Sequence, residues 1–245
     1  MLCAVYLATF FSLGILAAAA GWPFFKWVDL AAIVVATAAT IAIVERGRWF
    51  LGLAIAPRRA LAELAAGAAF AAVLIVAADR LIALSSTLRH GRGGGFPWLE
   101  LVLVFLPAAL HEELTFRGYI YQKLRAWNRG GAIAITSCAF AALHGGNWGF
   151  TPIASANLLL AGILLALAYE RTRHLWLPIG VHLGWNLVSG PILGYDVSGY
   201  VAGTTVLTVR AAGQPWITGG AFGIEGSIWM LAVESAGIIA LARKV

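Results

Sequence analysis

The stretch LAAGAAFAAVLIVAADRLIAL, residues 64–84, is apolar except for Asp79 and Arg80. A membrane-crossing helix needs about 20 mostly apolar residues, so this stretch is long enough to span a bilayer. Similar stretches recur along the chain and predict eight membrane-spanning helices, of which the fifth and seventh are short. They comprise residues 2–20, 28–44, 64–84, 99–116, 131–143, 153–169, 175–188 and 226–241.

The composition leads to the same class of protein. Of the 245 residues, 61% are hydrophobic and 11% are charged, and the mean hydropathy is +0.85. Soluble domains carry about 25% charged residues. These values exclude a soluble globular enzyme, a disordered chain and a nucleic-acid binder, despite a formal charge of +6. We predict an all-α, polytopic membrane protein that forms a single integral membrane domain over residues 1–245 in contact with the lipid bilayer.

The cations predict the orientation in the membrane, because cytoplasmic loops carry an excess of Lys and Arg. With eight spans and a cytoplasmic N-terminus, twelve of the 17 cations lie inside and both termini are cytoplasmic. The inner cations are Arg46, Arg48, Arg58, Arg59, Arg117, Lys123, Arg125, Arg129, Arg171, Arg173, Arg243 and Lys244. The outer ones are Lys26, Arg80, Arg89, Arg92 and Arg210. A secretory leader has a basic n-region, which the stretch 2–20 lacks, so we expect it to be retained; the alternative is a cleaved leader and seven spans.

Two loops and two cysteines complete the organisation. The longest polar stretch, 189–225, is predicted to include a short extended piece within 200–210 on the outer face. The loop 85–98 has four glycines and is predicted to be a flexible connector. Cys3 and Cys138 lie in apolar runs, which indicates small buried hydrophobic residues rather than a disulfide framework.

A few ionisable residues lie inside the predicted spans, where a charge costs about 2.5 kcal/mol or more. Such residues are functional candidates. They are His111, Glu112, Glu113 and Arg117 in span four, His144 at the end of span five, and His182 with Asn186 in span seven. A second set lies nearer the span ends and is expected to reach the interface. This set comprises Glu63, Asp79, Arg80, Glu100 and Glu234.

The helical period divides the acidic cluster of span four. Glu113 and Arg117 are four residues apart and can form an ion pair on one face. Glu112 is rotated by about 100° from Glu113 and is expected to face something else. The alternative is that all three residues form one buried, purely structural network.

The other two sets also have i, i+4 spacing. Phe140 is expected to pack beside His144, and His182 shares a face with Asn186. Alone, these residues could be packing groups or interhelical hydrogen-bond partners. Together, a carboxylate, two imidazoles and an amide on three helices are what a hydrolytic site needs, since they can deprotonate water and stabilise an oxyanion. No HExxH zinc-protease motif and no GxSxG nucleophile motif occurs.

Three motifs give the chain a family resemblance. The segment starting at Glu112 and Glu113 and ending at Arg117 reads EExxxR, Phe140 to His144 reads FxxxH, and 182–186 reads HxxxN. In their order and spacing they resemble the CPBP family of type II CAAX prenyl proteases and bacteriocin-processing or immunity proteins, also called the abortive-infection family. The motif-bearing core is about 99–190. The segment 216–227 also resembles one that follows the last motif in many bacterial members.

The resemblance implies an all-helical intramembrane endopeptidase. It implies that Glu112 and His144 activate water, that His182 and Asn186 form the oxyanion hole, and that Glu113, Arg117 and Phe140 support them. The family is catalogued as metalloproteases, so a divalent ion, with zinc first among the candidates, is an open expectation. The substrate is expected to be a membrane-associated protein or peptide, with CAAX-type processing one possibility. The chain itself is rich in Ala and has more Arg than Lys, which is typical of a GC-rich bacterial genome. This composition suggests that the protein lies in a bacterial cytoplasmic membrane.

Depth in the membrane sets a condition on this hypothesis. His144 is predicted to lie roughly 20 Å from the inner end of span five at 1.5 Å per residue. Glu112 can reach that depth if span four continues inward past Arg117, to about Arg125, which we predict. A shared water requires Glu112 and His144 to lie within about 8 Å of each other.

Two non-proteolytic alternatives remain: a non-catalytic immunity or scaffold protein, and a proton-coupled transporter.

Overall fold

A computed structural model describes residues 25–46 and 51–243, together with Val5, Ala8 and Ser12. Apart from these three residues, the predicted first span lies outside the described residues, as does Cys3. Cys138 is exposed, so its predicted burial was wrong. The described part is mostly helical. Its helices are α1 (Phe25–Val44), α2 (Pro57–Ser85), α3 (Leu106–Phe116), α4 (Tyr119–Trp127), α5 (Arg129–Leu143), α6 (Pro152–Thr172), α7 (Trp176–Leu187) and α8 (Ile228–Ala242). Shorter turns are Trp98–Glu100, Leu101–Phe105, Val188–Ile192, Pro215–Thr218, Gly220–Phe222 and Ile224–Gly226.

Length and composition identify three of the described helices as candidate membrane spans. These are Lys26–Val44 within α1, then α2 and α6. Helices α5 and α8 are apolar but shorter. A π turn at Leu101–Phe105 lengthens α3 at its start, and another at Val188–Ile192 lengthens α7 at its end. The helical class therefore agrees with the prediction, whereas the number of eight spans remains a prediction.

A two-stranded antiparallel sheet adds to the helices. Strand β1 (Thr87–Arg92) pairs with β2 (Leu207–Ala212), with Thr87 opposite Ala212 and Arg92 opposite Leu207. The prediction of a flexible connector over 85–98 was therefore wrong for its first half, and the all-α class omits this sheet. The two segments supply each other's backbone hydrogen bonds although they are far apart in sequence. The extended piece predicted within 200–210 coincides in part with β2.

Close packing of α2 against α7 determines where α7 lies. Gly180 and Gly184 are one turn apart on α7 and contact α2 directly. A Cβ on Gly180 would lie 2.4 Å from the Leu64 carbonyl oxygen, and one on Gly184 would lie 2.5 Å from Ala68 Cα. Small residues at this spacing let two helix backbones approach closely. Because α7 also carries the HxxxN motif, this contact sets the position of that motif.

The helix of span four is interrupted just after the acidic motif. Helix α3 ends at Phe116, and α4 starts at Tyr119. The chain is thus helical as far as Trp127, but the predicted continuous extension past Arg117 was wrong. The interrupted backbone requires glycine at position 118, since a Cβ there would lie 2.1 Å from the carbonyl oxygen of Leu114.

Three acids expected at the interface, Glu63, Asp79 and Glu234, are buried inside the protein instead, and Glu63 is 9% exposed. Asp79 is 0% exposed and Glu234 is 1% exposed. Asp79 accepts hydrogen bonds from Tyr195 Oη at 2.9 Å and His90 Nε2 at 2.8 Å, and it also pairs with Arg80. The sheet and the loop before β2 cover Asp79, and His174 Nδ1 donates to Glu63 Oε1 at 2.8 Å. The predicted reach toward the interface was therefore wrong for all three residues.

Candidate active site

Helix α3 directs its two adjacent glutamates to different surroundings. Glu113 is fully buried, and its Oε1 accepts a hydrogen bond from Arg117 Nη1 at 3.1 Å. Arg117 is also fully buried and donates from Nη2 to the carbonyl oxygen of Gly162 on α6 at 2.9 Å. The i, i+4 pair that the sequence predicts is therefore present. Glu112 lines a cavity, as its rotation away from Glu113 predicts.

His182 on α7 joins the two glutamates. Its Nδ1 donates a hydrogen bond to Glu113 Oε1 at 2.8 Å, and its Nε2 lies 3.8 Å from Glu112 Oε2. The bond at Nδ1 places a proton on that nitrogen and directs the other nitrogen toward Glu112. Glu113, which is itself bound by Arg117, thus orients the imidazole.

His144 approaches Glu112 from a third element. It follows α5 directly, and its Nδ1 donates to the carbonyl oxygen of Phe140 at 2.8 Å. Its Nε2 lies 3.8 Å from Glu112 Oε2. That oxygen is buried and has no hydrogen-bond partner within the described part of the chain. The separation from His144 satisfies the condition of about 8 Å that a shared water imposes.

Phe140 packs among the polar groups. It is 3% exposed, and its ring centroid is 4.7 Å from that of His144 and 6.1 Å from that of His182. The Arg117 guanidinium lies 5.0 Å from the same ring. These contacts restrict the orientations of both imidazoles.

A cavity of about 670 Å³ contains the predicted catalytic groups. Its lining includes Glu112, His144, His182 and Asn186, together with Phe140. Glu113 and Arg117 lie behind this surface. Most of the remaining wall is apolar and includes Val104, Phe105, Ala108, Phe116, Leu143, Leu158 and Leu164. Lys26 and Asp29 of α1 also reach the lining. The volume and lining are typical of a site that holds a small, largely apolar molecule or segment.

Glu225 is a further carboxylate of the cavity lining, and sequence reasoning missed it. Glu225 Oε1 accepts a hydrogen bond from Trp185 Nε1 at 2.9 Å. Its Oε2 accepts from Ser198 N and Ser198 Oγ, both at 2.7 Å. Asn147 Nδ2 in turn donates to the Ser198 carbonyl oxygen at 2.9 Å. The segment 216–227, noted in the sequence without a role, thus provides Glu225, whose hydrogen bonds connect residues along one edge of the cavity.

These hydrogen bonds connect the HxxxN motif with the segment that follows the FxxxH motif. Trp185 immediately precedes Asn186, and Asn147 lies three residues after His144. No short-range pattern predicts the contact, because Glu225 and Trp185 are 40 residues apart in the chain. The resemblance of 216–227 to a segment in bacterial relatives was the one available signal.

Tyr200 closes the cavity near the start of span four. Its hydroxyl donates to Glu100 Oε2 at 3.2 Å, while Glu100 Oε1 accepts from Gly203 N at 2.8 Å. Burial and the adjacent Glu100 carboxylate both raise the pKa of Tyr200. The hydroxyl therefore remains protonated and serves as a donor.

The donor groups were compared with the requirements of a metal ion. No group of three or more His, Cys, Asp or Glu side chains in the described residues is arranged to hold one. The nearest set is Glu112 with the two histidines, whose Nε2 atoms each lie 3.8 Å from Glu112 Oε2. As placed, these residues do not form a site that fits the predicted divalent ion.

Comparison with known proteins agrees with the motif-based resemblance. Residues 94–188 match the family model described as type II CAAX prenyl endopeptidase, Rce1-like. The match contains all three motifs and nearly all of the predicted core at 99–190, and it confirms the predicted resemblance. No curated protein and no solved structure matches the chain.

Proposed function

Since residues 94–188 are similar to type II CAAX prenyl endopeptidases, we propose that the chain is an intramembrane endopeptidase in which Glu112 and His144 activate water. The observation that carries this proposal is the position of Glu112 Oε2, 3.8 Å from Nε2 of both His144 and His182. The oxygen lies in a mostly apolar cavity and has no hydrogen-bond partner among the described residues. A carboxylate in this state is available to take a proton.

In the proposed reaction, water binds between Glu112 and His144. His144 Nδ1 donates to the Phe140 carbonyl oxygen, so in the neutral ring the lone pair is on Nε2, on the side of Glu112. Glu112 accepts a proton as the water oxygen attacks the carbonyl carbon of the scissile peptide bond. The same proton then passes to the departing amine nitrogen, so that one water is consumed for each bond cleaved.

His182 and Asn186 are proposed to stabilise the oxyanion that forms on the carbonyl oxygen. The Nδ1 proton of His182 is already used on Glu113. His182 therefore donates to the oxyanion only when Nε2 is protonated as well. Asn186, one turn further along α7, lines the same cavity and has an amide N–H₂ that donates at any pH.

The proposed substrate is a membrane-associated protein or peptide with an apolar segment at the cleavage site. The apolar wall formed by Phe105, Ala108, Leu158 and their neighbours supports this class, because it would bind apolar side chains or a lipid group. CAAX-type processing is one form of this activity. The proposed location is a bacterial cytoplasmic membrane with both termini on the cytoplasmic side.

The test compares membrane proteomes by labelling new N-termini in cells that express the wild type, Glu112→Ala or His144→Ala. We expect a set of cleavage products that is present with the wild type and lost with both variants. Glu45→Gln is the matched control, since Glu45 is a carboxylate that does not line the cavity. All three variants should reach the membrane in similar amounts, as measured by immunoblotting.

The outcomes separate the proposal from its alternatives. Cleavage products that persist in both Glu112→Ala and His144→Ala contradict the proposed mechanism. A cellular phenotype of the protein that survives Glu112→Ala instead favours the non-catalytic immunity or scaffold protein. Proton-dependent flux in liposomes containing the purified protein favours the transporter.

A divalent metal ion remains a separate proposal that follows from the family resemblance alone. Elemental analysis of the purified protein measures it directly. One equivalent of zinc that is lost in His144→Ala would place a metal in the proposed site, whereas full activity in metal-free protein would remove it from the reaction.

A further inference from the structure

A second polar cluster lies away from the cavity, at the end of α6. Its centre is Glu170, whose side chain is 0% exposed. Three arginines from separate parts of the chain converge on it: Arg125 of α4, Arg129 at the start of α5, and Arg173 just after α6. All three were predicted to lie on the cytoplasmic side of the membrane. The proposed function does not use this cluster.

The hydrogen bonds of Glu170 are concentrated on one of its two oxygens. Oε1 accepts from Tyr121 Oη at 2.9 Å and from Arg125 Nε at 2.7 Å. Oε2 lies 3.1 Å from Arg129 Nε and 3.2 Å from Arg173 Nη2. These two contacts are ion pairs without hydrogen-bond geometry, since Oε2 has no hydrogen-bond partner in the described parts of the chain. Arg125 and Tyr121 thus hold the carboxylate, and the other two arginines are attracted to it by charge.

The cluster carries more positive charge than Glu170 can neutralise. Three permanently charged guanidinium groups face one carboxylate. The side chains of Arg129 and Arg173 are 42% and 43% exposed, so their remaining N–H groups are accessible from outside the protein. A guanidinium presents several donors in a rigid fork that matches the oxygens of a phosphate. This surplus favours an anion as the missing partner.

The surroundings indicate that the anion belongs to a lipid. Glu170 lies in the last turn of α6, which is a candidate membrane span, so the cluster is at the end of an apolar helix. Trp127, between Arg125 and Arg129 in the chain, is 84% exposed. Exposed tryptophans are enriched at headgroup depth, where one part of the ring contacts acyl chains. Basic pockets between helices at that depth bind anionic lipid headgroups.

From these observations we propose that Arg129 and Arg173, positioned by Glu170, bind the phosphate of an anionic phospholipid, with Trp127 against its glycerol and upper acyl region. Glu170 keeps the two guanidinium groups close together despite their mutual repulsion. The lipid phosphate then provides the hydrogen-bond acceptors that Glu170 Oε2 does not provide for them.

The test measures lipid retention by native mass spectrometry of the full chain in detergent. The probes are phosphatidylglycerol and phosphatidylcholine with identical acyl chains, and inorganic phosphate. The double variant Arg129→Gln/Arg173→Gln is compared with Arg89→Gln/Arg92→Gln, which removes two cations from β1. A juxtamembrane cation contributes about 1 kcal/mol to anionic lipid binding, so the first double variant should bind phosphatidylglycerol roughly 10- to 30-fold more weakly.

Several results decide the question. The β1 variant should retain phosphatidylglycerol within about twofold of the wild type, and phosphatidylcholine should be unaffected in both. Equal losses in the two double variants, or no loss in either, overturn the proposal. Retention of inorganic phosphate as firmly as the lipid overturns its assignment to a lipid, whereas weaker lipid retention in Trp127→Ala supports it. If the double variant fails to fold, Arg129→Gln and Arg173→Gln are measured singly, and each should weaken binding about fivefold.

Discussion

Glu225 and Glu112 both line the cavity, and they differ in how their oxygens are satisfied. Both oxygens of Glu225 accept hydrogen bonds, from Trp185 and from Ser198. Glu112 Oε2 has no hydrogen-bond partner in the described residues and lies 3.8 Å from the Nε2 atoms of His144 and His182. Glu225 is therefore fully hydrogen-bonded, whereas Glu112 Oε2 has two imidazoles near it without a hydrogen bond to either.

This difference separates a structural role from a chemical one. A buried acceptor with its donors in place stabilises the fold, and removing it leaves those donors unsatisfied. A buried carboxylate without such bonds destabilises the fold, and proteins retain such groups mainly where function requires them. We therefore expect substitutions of Glu112 to affect activity alone and substitutions of Glu225 to affect mainly stability.

The largest effect is predicted for Glu112→Gln, which keeps the shape of the side chain but removes the base. Peptidase activity should fall by about 10²- to 10⁴-fold, the usual contribution of a general base. The unfolding temperature should stay the same or rise, because a neutral amide is cheaper to bury than a carboxylate. Cleavage of an apolar model peptide in detergent and a thermal unfolding curve of the same preparation provide both values.

A loss of stability in Glu112→Gln would contradict the assignment of Glu112 to a chemical role and Glu225 to a structural one. If Glu112→Gln loses stability in proportion to activity, Glu112 belongs to a structural network with Glu113 and Arg117, which is the alternative that the sequence left open. The contacts of Glu113 with Arg117 and His182 already form such a network without Glu112.

A loss of both stability and activity is predicted for Gly180→Ala, with the effect on activity intermediate between those of the two carboxylate variants. Helix α7 carries His182 and Asn186 toward one carboxylate and Trp185 toward the other. A Cβ on Gly180 would lie 2.4 Å from the backbone oxygen of Leu64, so α7 and α2 must shift relative to each other. Such overpacking costs about 1–3 kcal/mol, and a displacement of about 1 Å lowers activity by roughly 10²-fold.

The control for this packing change is Gly146→Ala. Gly146 has no atom within 4 Å of an added Cβ, so activity and unfolding temperature should both remain near the wild type. Equal behaviour of the two alanine variants would show that α7 tolerates displacement from α2 and that its position does not limit the site.

Local spacing accounts for the part of the site that could be predicted. The Glu113–Arg117 pair and the contact of Phe140 with His144 are i, i+4 relations within or at the end of one helix, which a sequence pattern shows directly. That the three motifs meet was suggested by the residue types on three predicted helices and by the family resemblance, and not by any periodicity. The catalytic roles assigned to them remain predictions.

Contacts between distant segments account for what the sequence did not predict. Strand β1 forms because Leu207–Ala212 returns beside it, and nothing in the glycine-rich loop 85–98 shows that partner. Asp79 was expected at the interface, but Tyr195 and His90 cover it. The close approach of Gly118 to the Leu114 carbonyl oxygen, which leaves no room for a Cβ, becomes visible only in three dimensions.

The smallest effect on activity is predicted for Glu225→Gln. A carboxamide has one acceptor, so in either orientation its N–H₂ group faces a donor, Trp185 Nε1 or Ser198 N. A buried donor left unsatisfied costs about 1–3 kcal/mol, and the free energy of unfolding should fall by that amount. Activity below the unfolding temperature should stay within several-fold of the wild type, because Glu225 acts only by holding one edge of the cavity. Glu45→Gln provides the matched control: Glu45 pairs with Lys123 on the surface, where ion pairs contribute little. If Glu225→Gln instead unfolded like the wild type but lost as much activity as Glu112→Gln, full hydrogen bonding would not distinguish the two carboxylates, and Glu225 would have to be placed in the reaction itself.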